Sequence, residues 1–197
     1  MSGVKGTAIA SVVEDLNRML AEGKLSRPEL EVRLVAEDLK VLDQKIVPAL
    51  WYPLGTYGRF VELLFEKDGN RNIEYLVTRG RRAAERIRAT GLYAQLGVDR
   101  ASWGDRIGKI LVSLGPAMYK DTVWSFNILS EQPFRYRIEM RVSSDFPDLC
   151  RHSTQGFIDY LTQLDVTRRM CVTSERSAST LIVFHGESLK NSSKPHD

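Results

Sequence analysis

Few side chains in this sequence are suited to catalysis, and three of these few lie close together. Asp148, Cys150 and His152 fall within five residues, and a cysteine near a histidine is the usual pairing of a nucleophile with its base. The segment is predicted to be helical, and helical residues two positions apart point away from each other. The three side chains therefore do not form a relay, and we expect no catalytic residue among them.

The rest of the chain lacks the motifs of common reactions. It has no Gly-x-Ser-x-Gly elbow, no glycine-rich phosphate loop and no paired carboxylates. Two cysteines, Cys150 and Cys171, are too few for a disulfide framework or a zinc site. Their predicted places on a helix and a strand favour buried thiols in a reducing compartment. We expect a protein that is not an enzyme and that binds no metal.

The densest positive charge is a group of five arginines between residues 79 and 88. Guanidinium groups suit carboxylates and phosphates, so Arg79 or Arg82 could bind the charged end of an anionic ligand. The alternative is a solvated helix face on which Glu74 and Glu85 pair with the arginines. Both interpretations stay open at this point.

Composition limits the class of protein. The 197 residues are 43% hydrophobic and 27% charged, with a net charge of +3, which is typical of a globular domain with a core of its own. A dedicated nucleic-acid-binding protein concentrates more positive charge. No secretory signal begins the sequence, and no apolar run approaches the about 18 residues of a membrane span. We therefore expect a cytoplasmic protein with no membrane span and no nucleic-acid partner.

The elements that must position these residues begin with a strand at 134–143, where Phe134, Tyr136, Ile138 and Met140 alternate with charged residues. The same alternation precedes it, after a short polar connection of hairpin length. The sequence predicts a four-stranded antiparallel sheet with strands at 122–129, 134–143, 166–174 and 180–186. Helical periodicity predicts the other elements; they are 8–22, 27–44, 54–67, 72–90, 104–115 and 147–164.

Two features of these helices carry further predictions. Small residues at 80, 83 and 84 allow another element to approach the helix at 72–90 closely. The first two helices form a hairpin, because Gly23 suits a helix C-terminus and Ser26 to Glu29 has the form of a capping box. This hairpin is either a lid on the main domain or a dimerisation arm, and we favour a homodimer.

These elements suggest three regions: an N-terminal helical arm at 1–45, an α+β domain at 46–187 and a disordered tail at 188–197. The tail contains lysine, serine, asparagine and proline and lacks an apolar pattern. The predicted fold class is α+β, with a helical half packed on the antiparallel sheet and a crossing helix.

Several segments of the second region resemble a known superfold. The sequence WYPLGTY at 51–57 leads into FVELL at 60–64, and later come FPDLC at 146–150 and QGF at 155–157. In this order they resemble the heme-NO-binding, 4-vinyl-reductase (V4R) and Bet3-like superfold, including bacterial families of unknown function within it. The resemblance covers about residues 46–186. It implies an apolar cavity between helices and sheet that holds heme, a small molecule or an acyl chain, whereas other members serve in assembly.

The residues argue against heme. Heme-binding members of the superfold carry a histidine before the sheet and a Tyr-x-Ser-x-Arg motif. Here His152, His185 and His196 all follow the first hairpin, and residues 136–140 lack the serine and arginine at that spacing. Cysteine-rich members could hold a metal, but this chain lacks the additional cysteines. We expect no cofactor.

Sequence reasoning thus leaves two functions. The first is a non-catalytic regulatory or sensory module that binds a small apolar, lipid-like or anionic-headed molecule. The second is a homodimeric adaptor or scaffold for a protein partner, with a filled core. Inward aromatic residues fit both. For the first function the predicted ligand-binding residues are Trp103, Trp124, Phe126, Tyr136, Phe157, Arg79 and Arg82.

Overall fold

The computed structural model describes residues 2–89, 103–163 and 169–189, although not the side chains of Trp103 and Asp105. The first residues of the predicted third strand, 166–168, and all but the first two residues of the predicted tail fall outside these ranges. Within them, the chain combines helices with two antiparallel sheets. The predicted α+β class is confirmed.

The helices follow the apolar stripes of the sequence. They are α1 (Gly6–Ala21), α2 (Arg27–Arg33), α3 (Ala36–Asp43), α4 (Leu54–Lys67), α5 (Ile73–Ala89), α6 (Trp103–Met118) and α7 (Asp148–Thr162). Helix α6 runs three residues past its predicted end, through Pro116. Pro116 lacks the N–H that would bond to the carbonyl one turn earlier, yet the helix continues for two further residues.

The larger sheet contains β4 (Val123–Glu131), β5 (Phe134–Arg141), β6 (Met170–Ala178) and β7 (Leu181–Ser188) in the order β4-β5-β7-β6. Its register aligns Phe126 with Ile138 and Ile138 with Phe184, so that one face carries a row of apolar side chains. Helices α6 and α7 cover this face. The sheet is four-stranded and antiparallel, as the alternation at 134–142 predicted.

A second sheet was not predicted. It has β1 (Gly3–Lys5) in the centre, with β2 (Trp51–Pro53) and β3 (Tyr119–Lys120) on either side. Strands of two or three residues are too short to show a period of two in sequence. Through β1 the N-terminus pairs with segments from the middle of the chain, and α1 packs against α4. The division into an arm and a body stays a prediction.

The predicted helix at 27–44 is divided in two, which corrects the prediction. Leu34 and Val35 have extended backbone angles and separate α2 from α3. The carboxylate of Asp38 accepts a hydrogen bond from the Val35 backbone N–H at 3.2 Å. The same buried carboxylate is bound by Nε and Nη2 of Arg59, at 2.5 and 2.7 Å. The interaction with α4 thus stabilises a new helix start that the local sequence did not reveal.

Helices α5 and α7 cross in close contact. A Cβ atom placed on Gly80 would lie 1.9 Å from the backbone oxygen of Ser153, and one on Gly156 would lie 1.8 Å from that of Val77. Each glycine therefore lets the other helix's backbone approach more closely than a side chain permits. The close approach that the sequence predicted from its small residues therefore occurs at Gly80. In the part of the chain that is described, no helix has both the length and the hydropathy to cross a membrane.

Candidate ligand-binding cavity

A cavity of about 350 Å³ lies between α1, α5, α6 and α7, and β4 contributes to its wall. Ligand pockets in proteins commonly measure about 300–1,000 Å³. The cavity is therefore large enough for a small organic molecule. Thr7, Pro48 and Arg86 belong to its lining and are exposed, so they mark its rim.

Most of the lining is apolar and comes from helices. Helix α1 contributes Ala8, Ala10 and Val12. The other apolar residues come from α4, α5, α6, β4, α7 and the segment before β2; they are Pro48, Val61, Gly80, Ala83, Ile87, Leu111, Leu114, Gly115, Met118, Trp124, Phe157 and Ile158.

Trp124 forms the part of the wall contributed by the sheet. Its ring stacks on Phe184, with centroids 6.1 Å apart and planes 6° apart. Its indole N–H donates to the hydroxyl of Thr122 at 2.9 Å. A Cβ atom on Gly115 would lie 2.1 Å from the ring, so this glycine leaves the space that the ring occupies. The indole is fixed on both faces, and its polar atom is already satisfied.

A group of hydroxyls lies on the wall made by α4, β3 and α7. The rings of Tyr57 and Tyr119 have centroids 6.4 Å apart, and the Tyr119 hydroxyl lies 3.3 Å from Oγ1 of Thr154, to which it can donate. Burial raises the pKa of both tyrosines, since a phenolate would lose its hydration. Both tyrosines are therefore neutral hydrogen-bonding groups rather than anions.

The lining also contains Arg79, whose ion-pair partner Asp15 does not itself line the cavity. Arg79 on α5 is 15% exposed, and its Nη1 donates to Oδ2 of Asp15 on α1. Nη2 approaches the backbone oxygen of Ser11 at 3.5 Å, and the guanidinium lies 5.8 Å from the centre of the Tyr75 ring. Arg79 thus borders the cavity, but a carboxylate of the protein already neutralises its charge.

The structure separates the residues predicted to bind a ligand. Arg79, Trp124 and Phe157 line the cavity. Phe126 and Tyr136 do not, because they stack on each other with centroids 5.3 Å apart beneath α6, where Gly108 leaves space for the Phe126 ring.

Of the two other predicted residues, Arg82 does not line the cavity. Arg82 lies on the exposed face of α5 and makes no ion pair with any described residue. The side chain of Trp103 lies outside the described residues. The predicted set as a whole remains a prediction about binding.

Sequence reasoning missed several residues of the wall. The contribution of α1, including Ser11 and Val12, was missed because the first helices were assigned to a separate arm. Tyr57 belongs to the WYPLGTY segment that was noticed, but only as part of a motif. Asp15 carried no signal, since its partner is 64 residues away in the sequence.

The cysteines differ from each other, which corrects one prediction. Cys150 is buried on α7 as predicted, and burial raises the pKa of its thiol, so it is not a reactive thiolate. Cys171 was expected to be buried but is exposed, because it points to the outer face of β6. His152 is half-buried, and burial together with the charge of Arg151 lowers its pKa.

Metal ions and heme find few ligands in the described part of the molecule. The described histidines, cysteines and carboxylates form no group of three or more that could hold a metal ion. Among the described residues, the cavity lining contains neither histidine nor cysteine, and His185 lies on the outer face of β7, 3.6 Å from Glu175. Tyr57 and Tyr119 are held in the neutral form that ligates iron poorly, which leaves the thioether of Met118. Heme does not fit this lining.

Solved structures with the same fold come from H-NOX domains, the heme-NO-binding members of the predicted superfold. A single-residue mutant of the H-NOX from T. tengcongensis has a TM-score of 0.57 and 14% identity, over 93% of this chain and 97% of that one. A Cs H-NOX mutant carrying 4-cyano-L-phenylalanine has a TM-score of 0.58 and 14% identity, over 93% and 96%.

A third structure is described as an oxygen-binding H-NOX domain related to soluble guanylate cyclases. Its TM-score is 0.56 and its identity 14%, over 98% of each chain. Matches of this extent include most of residues 1–45, which the sequence resemblance did not cover. No protein-family model matches the chain, and no curated protein matches it in sequence. The resemblance predicted from sequence is confirmed at the level of the fold: this chain folds as an H-NOX domain does.

Proposed function

We propose that this protein is a non-catalytic regulatory or sensory module that holds a small apolar or anionic-headed molecule in the cavity between its helices and its sheet. The observation that carries the proposal is the cavity of about 350 Å³ with a largely apolar wall. A protein interior is normally packed as densely as an organic crystal, with few voids larger than a water molecule. A space of this size is typical of a binding site.

The fold supports the same proposal. One of the similar structures is described as an oxygen-binding H-NOX domain, so another protein with this fold binds a small ligand. In the part of the present chain that the structure describes, the lining has no histidine or cysteine for heme, and the proposed ligand is a small organic molecule other than heme. We propose no catalysis in the cavity, since the titratable groups of its described lining are neutral tyrosines, a paired Arg79 and an exposed Arg86.

Occupancy tests the proposal. Native mass spectrometry of gently purified protein should show a population heavier than the chain by the mass of one small molecule. Thermal shift with panels of lipids, aromatic acids and cyclic nucleotides should then find stabilising compounds. A ligand at 100 times its dissociation constant adds about 2.7 kcal/mol to the free energy of unfolding. Protein of the bare chain mass, together with no shift in any panel, would refute the proposal.

The second candidate is a homodimeric adaptor, and one observation favours it. Val32 on α2 is 88% exposed, and Val35, just after α2, is 50% exposed. Valines exposed to this degree on neighbouring positions are suited to a protein contact. The two functions are compatible, because this surface belongs to the predicted dimerisation arm and neither valine lines the cavity.

A further inference from the structure

The charges and hydrogen bonds of the cavity wall restrict the chemistry of the ligand, an inference that rests on the proposed function. We infer that the cavity takes an uncharged, predominantly apolar molecule, selected by shape and by the exclusion of charge. An anionic head buried beside Arg79, one of the two options that the sequence left open, is then rejected by the site.

Arg79 and Asp15 form an ion pair in which each side chain stabilises the charge of the other. Burial, the largest single cause, would lower the pKa of Arg79, but the hydrogen bond to Asp15 and the Coulombic attraction of nearby groups together outweigh it and raise that pKa. Burial would raise the pKa of Asp15, but Arg79 and Arg18 outweigh it and lower that pKa. Both side chains are therefore charged, and their charges cancel within the wall.

This cancellation decides the fate of a charged ligand. A carboxylate in the cavity would meet an arginine that already has a carboxylate partner, and Asp15 would repel it. A cation would meet no carboxylate in the described lining, since Asp15 does not line the cavity and is already shared between Arg79 and Arg18. Either ion would give up its hydration without gaining an opposite charge, which is the costly case for buried charges.

The hydrogen bonds of the cavity wall also bear on the polarity of the ligand. Among the described residues, three buried side-chain nitrogen or oxygen atoms have no hydrogen-bond partner. They belong to Tyr136, Arg137 and His152, none of which lines the cavity. The Trp124 indole donates to Thr122, and the Thr154 hydroxyl donates to the Cys150 backbone oxygen at 3.0 Å. The fully buried polar atoms of the wall therefore need no hydrogen bond from a ligand. Together with the largely apolar lining, this favours an apolar guest.

The remaining charge of the lining is Arg86 at the rim. It is exposed and makes no ion pair with any described residue. An ion pair in water changes an affinity by a factor of about five at most. Arg86 could hold an anionic head outside the cavity, and this is the alternative that the experiment must separate from an uncharged ligand.

Two compounds with the same rings make the comparison. At neutral pH 2-naphthol is uncharged, whereas 2-naphthoate is an anion. Isothermal titration calorimetry on the full chain should show that 2-naphthol binds at least about tenfold more tightly than 2-naphthoate. The preference should persist in Arg86→Gln, because an uncharged guest does not use the rim charge.

The variant Asp15→Asn tests the cause of the preference. Asparagine keeps an acceptor for Arg79 but frees its positive charge, so the affinity for 2-naphthoate should rise about tenfold. The affinity for 2-naphthol should change by no more than about twofold. Glu22→Gln is the matched control, since it removes an exposed negative charge from the residue that caps the end of α1, away from the cavity, and should change neither affinity.

Three results would overturn the inference while leaving the proposed function intact. They are a wild-type affinity for 2-naphthoate equal to or above that for 2-naphthol, a 2-naphthoate affinity that Arg86→Gln abolishes, and a folded Asp15→Asn with no gain for the anion. If Asp15→Asn does not fold, by circular dichroism, the wild type and Arg86→Gln decide the question. Failure of both compounds to bind the wild type, Asp15→Asn and Arg86→Gln would refute the inference, and the proposed function would fall with it only if native mass spectrometry also finds the bare chain mass and no panel gives a thermal shift.

Discussion

Arg79 on α5 and Asp15 on α1 form an ion pair that joins two walls of the cavity. The two side chains are 15% and 27% exposed, and Asp15 also accepts from Arg18 at 3.2 Å. The pair therefore holds α1 in place over the cavity and, at the same time, removes the positive charge from its interior.

Replacing Asp15 should reveal both effects. Asp15→Asn should lower the free energy of unfolding by about 1–2 kcal/mol, because Arg79 loses its charged partner. The exposed control Glu22→Gln should lower it by less than about 0.5 kcal/mol. Urea unfolding measures both values, and equal stability of the wild type and Asp15→Asn would contradict the role given to the pair.

The stabilisation by Asp15 should depend on pH. Its pKa is lower in the folded protein than its ordinary value of 3.8, so the charged form stabilises the fold above that value. This contribution is lost as the pH falls through the folded pKa. The difference in free energy of unfolding between the wild type and Asp15→Asn should be constant near neutral pH and should shrink below about pH 4. A difference that grows on acidification would refute this sign.

The crossing of α5 and α7 predicts a sharp sensitivity to alanine. Gly80→Ala and Gly156→Ala place a methyl group less than 2 Å from backbone oxygen atoms of the other helix. Each should cost about 1–3 kcal/mol of unfolding free energy, since two backbones must separate. Gly55→Ala is the control, because its nearest neighbour would be the end of the Arg59 side chain at 3.5 Å. Gly55→Ala should not lower the free energy of unfolding and should raise it by up to about 1 kcal/mol. Similar unfolding midpoints for all three would disprove the close contact.

The sequence revealed the long elements because each repeats its pattern several times. In β5 the apolar residues repeat at every second position, at Phe134, Tyr136, Ile138 and Met140. The apolar stripe of α5 spans most of its 17 residues. Strands β1, β2 and β3 have three residues or fewer and show no period at all. The break between α2 and α3 depends on the buried bond from Arg59 to Asp38, which local sequence does not contain.

The cavity was predictable only in outline. Trp124, Phe126 and Tyr136 all face inward from the sheet, so the alternation in sequence does not distinguish a residue of the cavity wall from one of the packed core. The path of α6 distinguishes them, because Gly108 rests on the Phe126 ring whereas Trp124 borders the cavity next to Gly115. The charge of Arg79 was visible in the sequence, but its neutralisation by Asp15 was not. Long-range pairing therefore decides what the site can bind.

The two cysteines should react differently with a thiol reagent. In native protein, Ellman's reagent should modify Cys171, which is exposed, and leave Cys150, which is buried with a raised pKa. The expected counts are one thiol in native protein and two in denatured protein. Cys171→Ser should reduce the native count to zero. Rapid modification of two native thiols would contradict the buried position of Cys150.

The predicted homodimer should depend on α2. Because α1 is buried against the rest of the chain, the exposed Val32 is the residue of the first helices best placed for a second copy. Multi-angle light scattering should find a dimer for the wild type and a monomer for Val32→Glu. Leu129→Glu, at a 57% exposed residue of β4, should stay dimeric. A monomeric wild type removes the prediction.

Filling the cavity provides the most direct test that it is a binding site. Ala83 lines the cavity on α5, and Ala83→Leu should occupy part of the space, which adds about 0.5–2 kcal/mol to the free energy of unfolding. Ala89→Leu, at an exposed residue outside the lining, is the matched control. Calorimetric titration with 2-naphthol should show saturable binding to the wild type and to Ala89→Leu, and none to a folded Ala83→Leu. Equal binding to all three proteins, or binding to none, would contradict a ligand site in this cavity.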